Sequence, residues 1–216
     1  MTNIYNLMPS IYDLIPYGYE KIRTVEYDVI INNYLENFQK SEKPIFTQVG
    51  GIPGAGKTTF CSKFKNDMFL SFDAVMECIP AYKQDLYLLG SIEAFKKWET
   101  PARIIGYEIL IRAINANYSI ILEHSGVNEA HIQLFENLRK IGYQTNMYFI
   151  LCELPLALER AKEREKITHR HTPPKMIKKR FSLVNEYINR YKKIACNTII
   201  YDTTNNSFDL QNKFCA

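Results

Sequence analysis

No stretch of this 216-residue chain is apolar for long enough to cross a bilayer, and its N-terminus carries no basic-then-apolar signal pattern. The expectation is a soluble, cytoplasmic protein with no membrane partner. The five cysteines, Cys61, Cys78, Cys152, Cys196 and Cys215, form no C-x-x-C pair and show no metal-type spacing. They read as reduced, mostly buried thiols rather than a disulfide scaffold. Low-complexity linkers and internal repeats are also missing, so residues 1–216 are expected to form one domain. Disorder is excluded by composition, because 46% of the residues are hydrophobic, enough for a sizeable core.

What the chain does have is Gly50-Gly51-Ile52-Pro53-Gly54-Ala55-Gly56-Lys57-Thr58-Thr59, which reads G-x-x-x-x-G-K-T from Gly51 to Thr58. Gly51, Gly54 and Gly56 let the backbone turn through positive φ and bring successive N–H groups against phosphate oxygens. A helix opening at the end of such a loop favours an anion through its unpaired donors and partial positive charge. Lys57 is placed to reach the β- and γ-phosphates, and the Thr58 hydroxyl to ligate Mg²⁺. The context fits: Ile45–Val49 is a short β-prone run, and the residues after Thr59 are apolar at helical spacing. The stretch 51–59, including Pro53, Ala55 and Thr59, is therefore the expected binding loop for ATP or GTP with Mg²⁺.

Further apolar runs follow at Met68–Asp73, Tyr118–Glu123, Gln144–Cys152 and Thr198–Asp202. Helical patterns lie between them at about 92–117, 129–141, 157–165 and 173–193, and one precedes them at Tyr19–Gln39. Uniformly apolar strands alternating with helices predict an α/β fold: a five-stranded parallel sheet sandwiched by helices, with an N-terminal arm and helix over residues 1–42. Residues 1–18 are apolar and punctuated by Pro9, Pro16 and Gly18, an arm expected to pack on something.

Ligands of such sheets bind beyond the C-terminal strand ends. Asp73 and Glu123 both stand at expected strand tips. Asp73 reads as the general base for an attacking hydroxyl or as part of the Mg²⁺ shell, against a rival role as a helix N-cap. Glu123 would orient Mg²⁺ or hold a substrate hydroxyl, against a plain ion pair. Ser125 follows on the substrate side, and His124 divides evenly between facing the substrate and packing.

The net charge of +4 is modest, yet residues 157–193 hold twelve Lys/Arg against four Glu. Such a surplus suits a polyphosphate, or nucleic acid as the less favoured ligand. Arg160 and Arg164 stand i, i+4 on one helix face, and Arg170 lies between His169 and His171. These arginines suit a lid at about 157–172 that stabilises a transferring phosphoryl group. A salt-bridged surface helix is the plainer alternative, since Glu159, Glu163 and Glu165 are interleaved.

These parts together resemble the zeta-toxin group of P-loop kinases. The similar features are the helix before the first strand, the loop at 50–59, Asp73 followed by Ile79-Pro80-Ala81-Tyr82, Ile121–Ser125, and Arg170-His171-Thr172-Pro173 before a late helix. The resemblance implies a P-loop kinase that phosphorylates an amino-sugar hydroxyl of UDP-N-acetylglucosamine and is held in check by a small antitoxin. It implies Lys57 and Thr58 for phosphate and Mg²⁺, Asp73 as base, Glu123 and Ser125 on the sugar side, Arg170 from the lid, and Arg160 or Arg164 as the second lid arginine. The chain departs from the family on the acceptor side, with Ser71 where an acid is frequent and Glu123-His124-Ser125 where Glu-Gly-Thr is common. A polynucleotide 5′-hydroxyl kinase and a nucleotide-dependent interaction protein that docks through residues 1–18 are the alternatives.

Overall fold

The computed structural model describes residues 25–36, 38–64, 68–205 and 207–215. The expected arm at 1–18 and the start of the helix after it lie outside the described residues. The described chain begins with α1 (Val25–Leu35), which buries Tyr27, Ile30 and Ile31 at helical spacing. This helix is shorter than expected: residues 38–40 are not helical.

The elements that follow are β1 (Ile45–Gly50), α2 (Lys57–Cys61), β2 (Met68–Ser71), α3 (Phe72–Glu77) and α4 (Pro80–Asn115). After them come β3 (Ile120–Glu123), α5 (Glu129–Lys140), β4 (Gln144–Leu151), α6 (Leu154–Thr168), α7 (Pro174–Ile194), β5 (Asn197–Asp202) and β6 (Asp209–Cys215). The strands lie in the order β2-β3-β1-β4-β5-β6. The first five pair in parallel, as expected of uniformly apolar strands joined by helices.

Two differences from the sequence reading concern the sheet. A sixth strand, β6, pairs antiparallel with β5, from Asn197↔Cys215 to Asp202↔Asp209. Its sequence, DLQNKFC, is mostly exposed edge and carries no apolar run to announce it. The second strand stops at Ser71 instead of reaching Asp73. Ser71 is extended, at φ −136° and ψ 132°, and caps α3, which begins at Phe72.

The sheet separates two cores, because successive side chains on a strand point to opposite faces. Ile120 and Leu122 join Phe46, Met147 and Phe149 under α1, α4, α5 and α7. Ile121 joins Val49 and Ile150 under α2 and α6, with Phe60, Ala157 and Ala161. α4 is interrupted at Gly90, whose φ of 79° and ψ of 170° are not helical. Its long second half carries the buried run from Ile104 to Ile114 against the sheet. No described helix is long and apolar enough to cross a membrane.

Register decides what meets at the strand ends. Val49, at the end of β1, pairs with Glu123 of β3, and Glu123 pairs with Ser71 of β2. The loop after β1, the tip of β3 and the start of α3 are thereby brought to one edge.

Candidate active site

The turn from β1 into α2 is closed by backbone bonds. Gly51 N–H donates to the Ser125 carbonyl at 3.0 Å, and Ala55 N–H to the Ile52 carbonyl at 3.2 Å. Gly51 has φ +128°, and a Cβ there would stand 2.1 Å from the Ile150 carbonyl oxygen; at Gly54, φ +87°, it would stand 2.2 Å from that of Ala157. Only glycine fits either position. The N–H groups of Gly54, Gly56, Lys57 and Thr58 find no backbone acceptor among the described residues, which leaves them for phosphate oxygens.

Lys57 Nζ donates to the Ile52 carbonyl at 3.1 Å. Burial pushes its pKa down, and Glu123 and then Asp73 pull it back towards the charged form. The Thr58 hydroxyl lies 3.1 and 3.0 Å from the two carboxylate oxygens of Glu123. Thr59 is exposed on the outer face of α2. A hydroxyl and a carboxylate beside a phosphate cradle are a donor set for Mg²⁺, which takes few protein ligands and completes its shell with phosphate and water. Among the described residues no group of three or more His, Cys, Asp or Glu could hold a metal without a ligand's help.

Asp73 falls in the first turn of α3, so it is neither a strand tip nor the helix cap. Its carboxylate is bound by the guanidinium of Arg170, which also lies 3.7 Å from Glu77. This leaves Glu123, and not Asp73, as the carboxylate next to Thr58. Arg164 donates to the Thr172 hydroxyl at 2.6 Å. The Nε atoms of Arg164 and Arg170 are buried and have no hydrogen-bond partner among the described residues.

Arg160 is placed otherwise than a second lid arginine. It donates to the hydroxyl and carbonyl oxygens of Thr203 at 3.2 and 2.8 Å, and Thr203 in turn donates to the Ala55 carbonyl at 2.9 Å. Arg160 therefore braces the loop from behind, while Arg164, one turn later, faces the cavity.

That cavity holds about 370 Å³ and is lined by Pro53, Lys57, Asp73, Glu123, His124, Ser125 and Arg164. Two further arginines line it that the sequence reading passed over. Arg103 of α4 and Arg180 of α7 form no ion pair with any described carboxylate. Burial pushes the Arg180 pKa down, while Glu99 and then Asp73 oppose it. A signal for Arg180 was present: it lies three residues after buried Ile177 and four before buried Val184, on the apolar face of an amphipathic helix.

His124 packs flat on His131, with ring centroids 4.0 Å apart and planes at 9°. Burial, with the neighbouring imidazole and cations, holds His124 well below the usual histidine range, so it is neutral. Ser125 is buried and anchors the loop through its carbonyl.

A family model described as Zeta toxin matches residues 31–213. Among solved structures, one from the PezAT chromosomal toxin–antitoxin system of Streptococcus pneumoniae aligns with a TM-score of 0.67 at 17% identity, covering 88% of this chain and 82% of that one. A structure of AvrRxo1-ORF1:-ORF2 with ATP aligns at 0.58 and 14% identity, covering 96% and 67%. A putative kinase from Chloroflexus aurantiacus aligns at 0.52 and 18%, covering 78% and 93%. At these identities the likeness shows a shared fold. No curated protein matches the chain.

Proposed function

The chain belongs to the zeta-toxin family, and from that premise we propose that it is an Mg²⁺–ATP (or GTP) kinase acting on a hydroxyl of a phosphate-bearing small molecule, a nucleotide sugar such as UDP-N-acetylglucosamine. One observation carries the reading: Lys57, Asp73 and Glu123, the last bonded to Thr58, border a single cavity whose lining also holds Arg103 and Arg180, which form no ion pair with a described carboxylate. Glycine-shaped backbone and Lys57 suit the triphosphate. Arg103 and Arg180, half-buried and in no ion pair with a described carboxylate, suit an anionic group on the acceptor.

In this reading Thr58 and Glu123 hold Mg²⁺, which supplies charge neutralisation for the phosphate oxygens. Asp73 accepts the proton of the acceptor hydroxyl as its oxygen bonds to the γ-phosphorus and the bond to the nucleoside diphosphate breaks. Arg170 has to leave Asp73 for this. The γ-phosphate is the natural competitor, and the unpartnered Nε atoms of Arg164 and Arg170 are donors awaiting it. Residues from about 157 to 172 act as the lid of one kinase domain, and a protein antitoxin is the expected partner.

A second reading draws on the exposed Lys175, Lys178 and Lys179 on the same helix as Arg180. They suit the backbone of a polynucleotide whose 5′-hydroxyl is the acceptor, with turnover falling steeply as salt rises.

The test is mass spectrometry of ATP, Mg²⁺ and UDP-N-acetylglucosamine incubated with the protein. One added phosphate on the sugar nucleotide is expected, and Lys57→Ala and Asp73→Ala should both abolish it. Phosphate appearing instead on another compound of a cell extract would replace the acceptor. Phosphate on none would overturn the kinase.

A further inference from the structure

Four rings close on one another beneath the acceptor side of the cavity. Phe72 lies 4.7 Å from Tyr107 and 5.7 Å from His124; His131 lies 6.4 Å from Tyr107 and 4.0 Å from His124. Gly106 makes this possible, since a Cβ there would stand 2.4 Å from Phe72 Cδ1. His131 is fully buried, and both of its ring nitrogens are engaged. Nδ1 lies 2.9 Å from Gln48 Oε1, and Nε2 lies 3.2 Å from the Tyr107 hydroxyl. The face against which His124 stacks is therefore fixed.

The edge of His124 is fixed as well. Gly126 N–H donates to its Nδ1 at 3.3 Å, so that nitrogen carries a lone pair and the ring proton resides on Nε2. No atom of the described residues pairs with Nε2, and His124 lines the cavity beside Glu123 and Ser125. A ring flip would forfeit the Gly126 bond.

We infer that His124 determines acceptor specificity: its Nε2–H donates to a neutral oxygen of the acceptor close to the hydroxyl that is phosphorylated. An uncharged donor suits an uncharged acceptor atom, whereas anionic groups go to Arg103 and Arg180. His124 and Asp73 both adjoin Phe72, His124 by ring contact and Asp73 along the chain, so the contact sits near the reacting hydroxyl. The assignment rests on the kinase reading above and adds to it a residue whose failure can be seen separately.

The experiment compares wild type, His124→Phe and His124→Gln. The acceptor is UDP-N-acetylglucosamine or, should that gain no phosphate, whichever compound of a small-molecule extract does. Both variants lose the Gly126 bond, but only glutamine keeps an N–H at the reach of Nε2. His124→Phe should raise the acceptor KM roughly tenfold with the ATP KM unchanged, and His124→Gln should stay within about threefold of wild type. An acceptor KM unmoved in His124→Phe overturns the inference while leaving the kinase standing. So does an equal rise in both KM values, the mark of a structural role. Wild type that phosphorylates nothing removes the kinase reading and this contact with it. Independently of turnover, the histidine ¹⁵N spectrum should place the His124 proton on Nε2; a proton on Nδ1 refutes the assignment whatever the activity.

Discussion

Arg170 and Asp73, distant in sequence, are joined as an ion pair that closes the loop after α6 onto the first turn of α3. The proposed base is thus held by the group proposed to serve the γ-phosphate. The two roles are compatible only if they are taken in turn. In the proposed order nucleotide enters first, Arg170 transfers to it, and Asp73 is released for the hydroxyl.

Asp73→Asn tests the base directly. It keeps the shape and much of the hydrogen bonding to Arg170 but cannot take the proton. We expect kcat/KM for phosphoryl transfer to fall roughly 10²- to 10⁴-fold, the range for loss of a general base. The ATP dissociation constant, measured by calorimetry, should change little, because Asp73 forms no hydrogen bond or ion pair with the phosphate loop among the described residues. A parallel loss of ATP affinity would make Asp73 a nucleotide ligand instead.

Glu123→Gln tests the metal donor set. The Thr58 hydroxyl keeps a partner, so the apo fold should be nearly unaffected. Loss of the charge should weaken binding of Mg²⁺–ATP by roughly 10- to 100-fold, the scale of one interaction with a charged group. Binding of ATP in EDTA should not change. If the two conditions lose affinity equally, Glu123 is no metal donor.

Gly106→Ala probes how the ring cluster supports Asp73. Alanine is the better helix former by up to about 1 kcal/mol. Its Cβ, however, would meet Phe72 Cδ1 at 2.4 Å and Cε1 at 2.6 Å, a clash typically worth about 1–3 kcal/mol in a packed core. The clash should win: a lower Tm, and a lower kcat because Phe72 adjoins Asp73. A Tm at or above that of wild type would mean that Phe72 shifts at no cost.

The parts legible in the sequence were those whose chemistry is local. The phosphate loop was readable because Gly51, Gly54, Gly56, Lys57 and Thr58 stand in one short motif, although what Gly51, Gly54 and Thr58 meet, at Ile150, Ala157 and Glu123, lies far along the chain. The five parallel strands were readable because both faces of each are covered. The parts not legible depend on partners far along the chain. Met68–Asp73 looked like one continuous strand until Ser71, extended and capping, turned the chain into α3. Arg160 looked equivalent to Arg164 by spacing, and only Thr203, 43 residues on, separates their roles. β6 is polar because it covers the edge of β5 rather than the core. Arg103 sits in an apolar helix with nothing in its surroundings to mark it until α7 brings Arg180 across from it.

The buried imidazole of His131 gives the fold a pH dependence with a definite sign. Burial, and secondarily the Arg103 charge, push its pKa down to about 3 from an ordinary 6.5. Gln48, Tyr107 and His124 face it, and none of them offers a negative charge to hold a proton there. Between pH 6.5 and pH 3 the unfolded chain binds a proton that the folded chain refuses, so stability falls as pH falls through that window and is fully present above it. The slope from one such group is at most about 1.4 kcal/mol per pH unit. Urea denaturation at pH 7.5, 6.0 and 5.0 should therefore show a loss that begins in the first interval and steepens per pH unit in the second. His131→Gln, which retains a polar partner for Gln48 and Tyr107 but does not titrate, should be less stable at pH 7.5 and show a shallower fall towards pH 5. An unchanged slope in the variant would mean that acid destabilisation arises elsewhere, with His124 the next imidazole to examine because its pKa is displaced in the same direction.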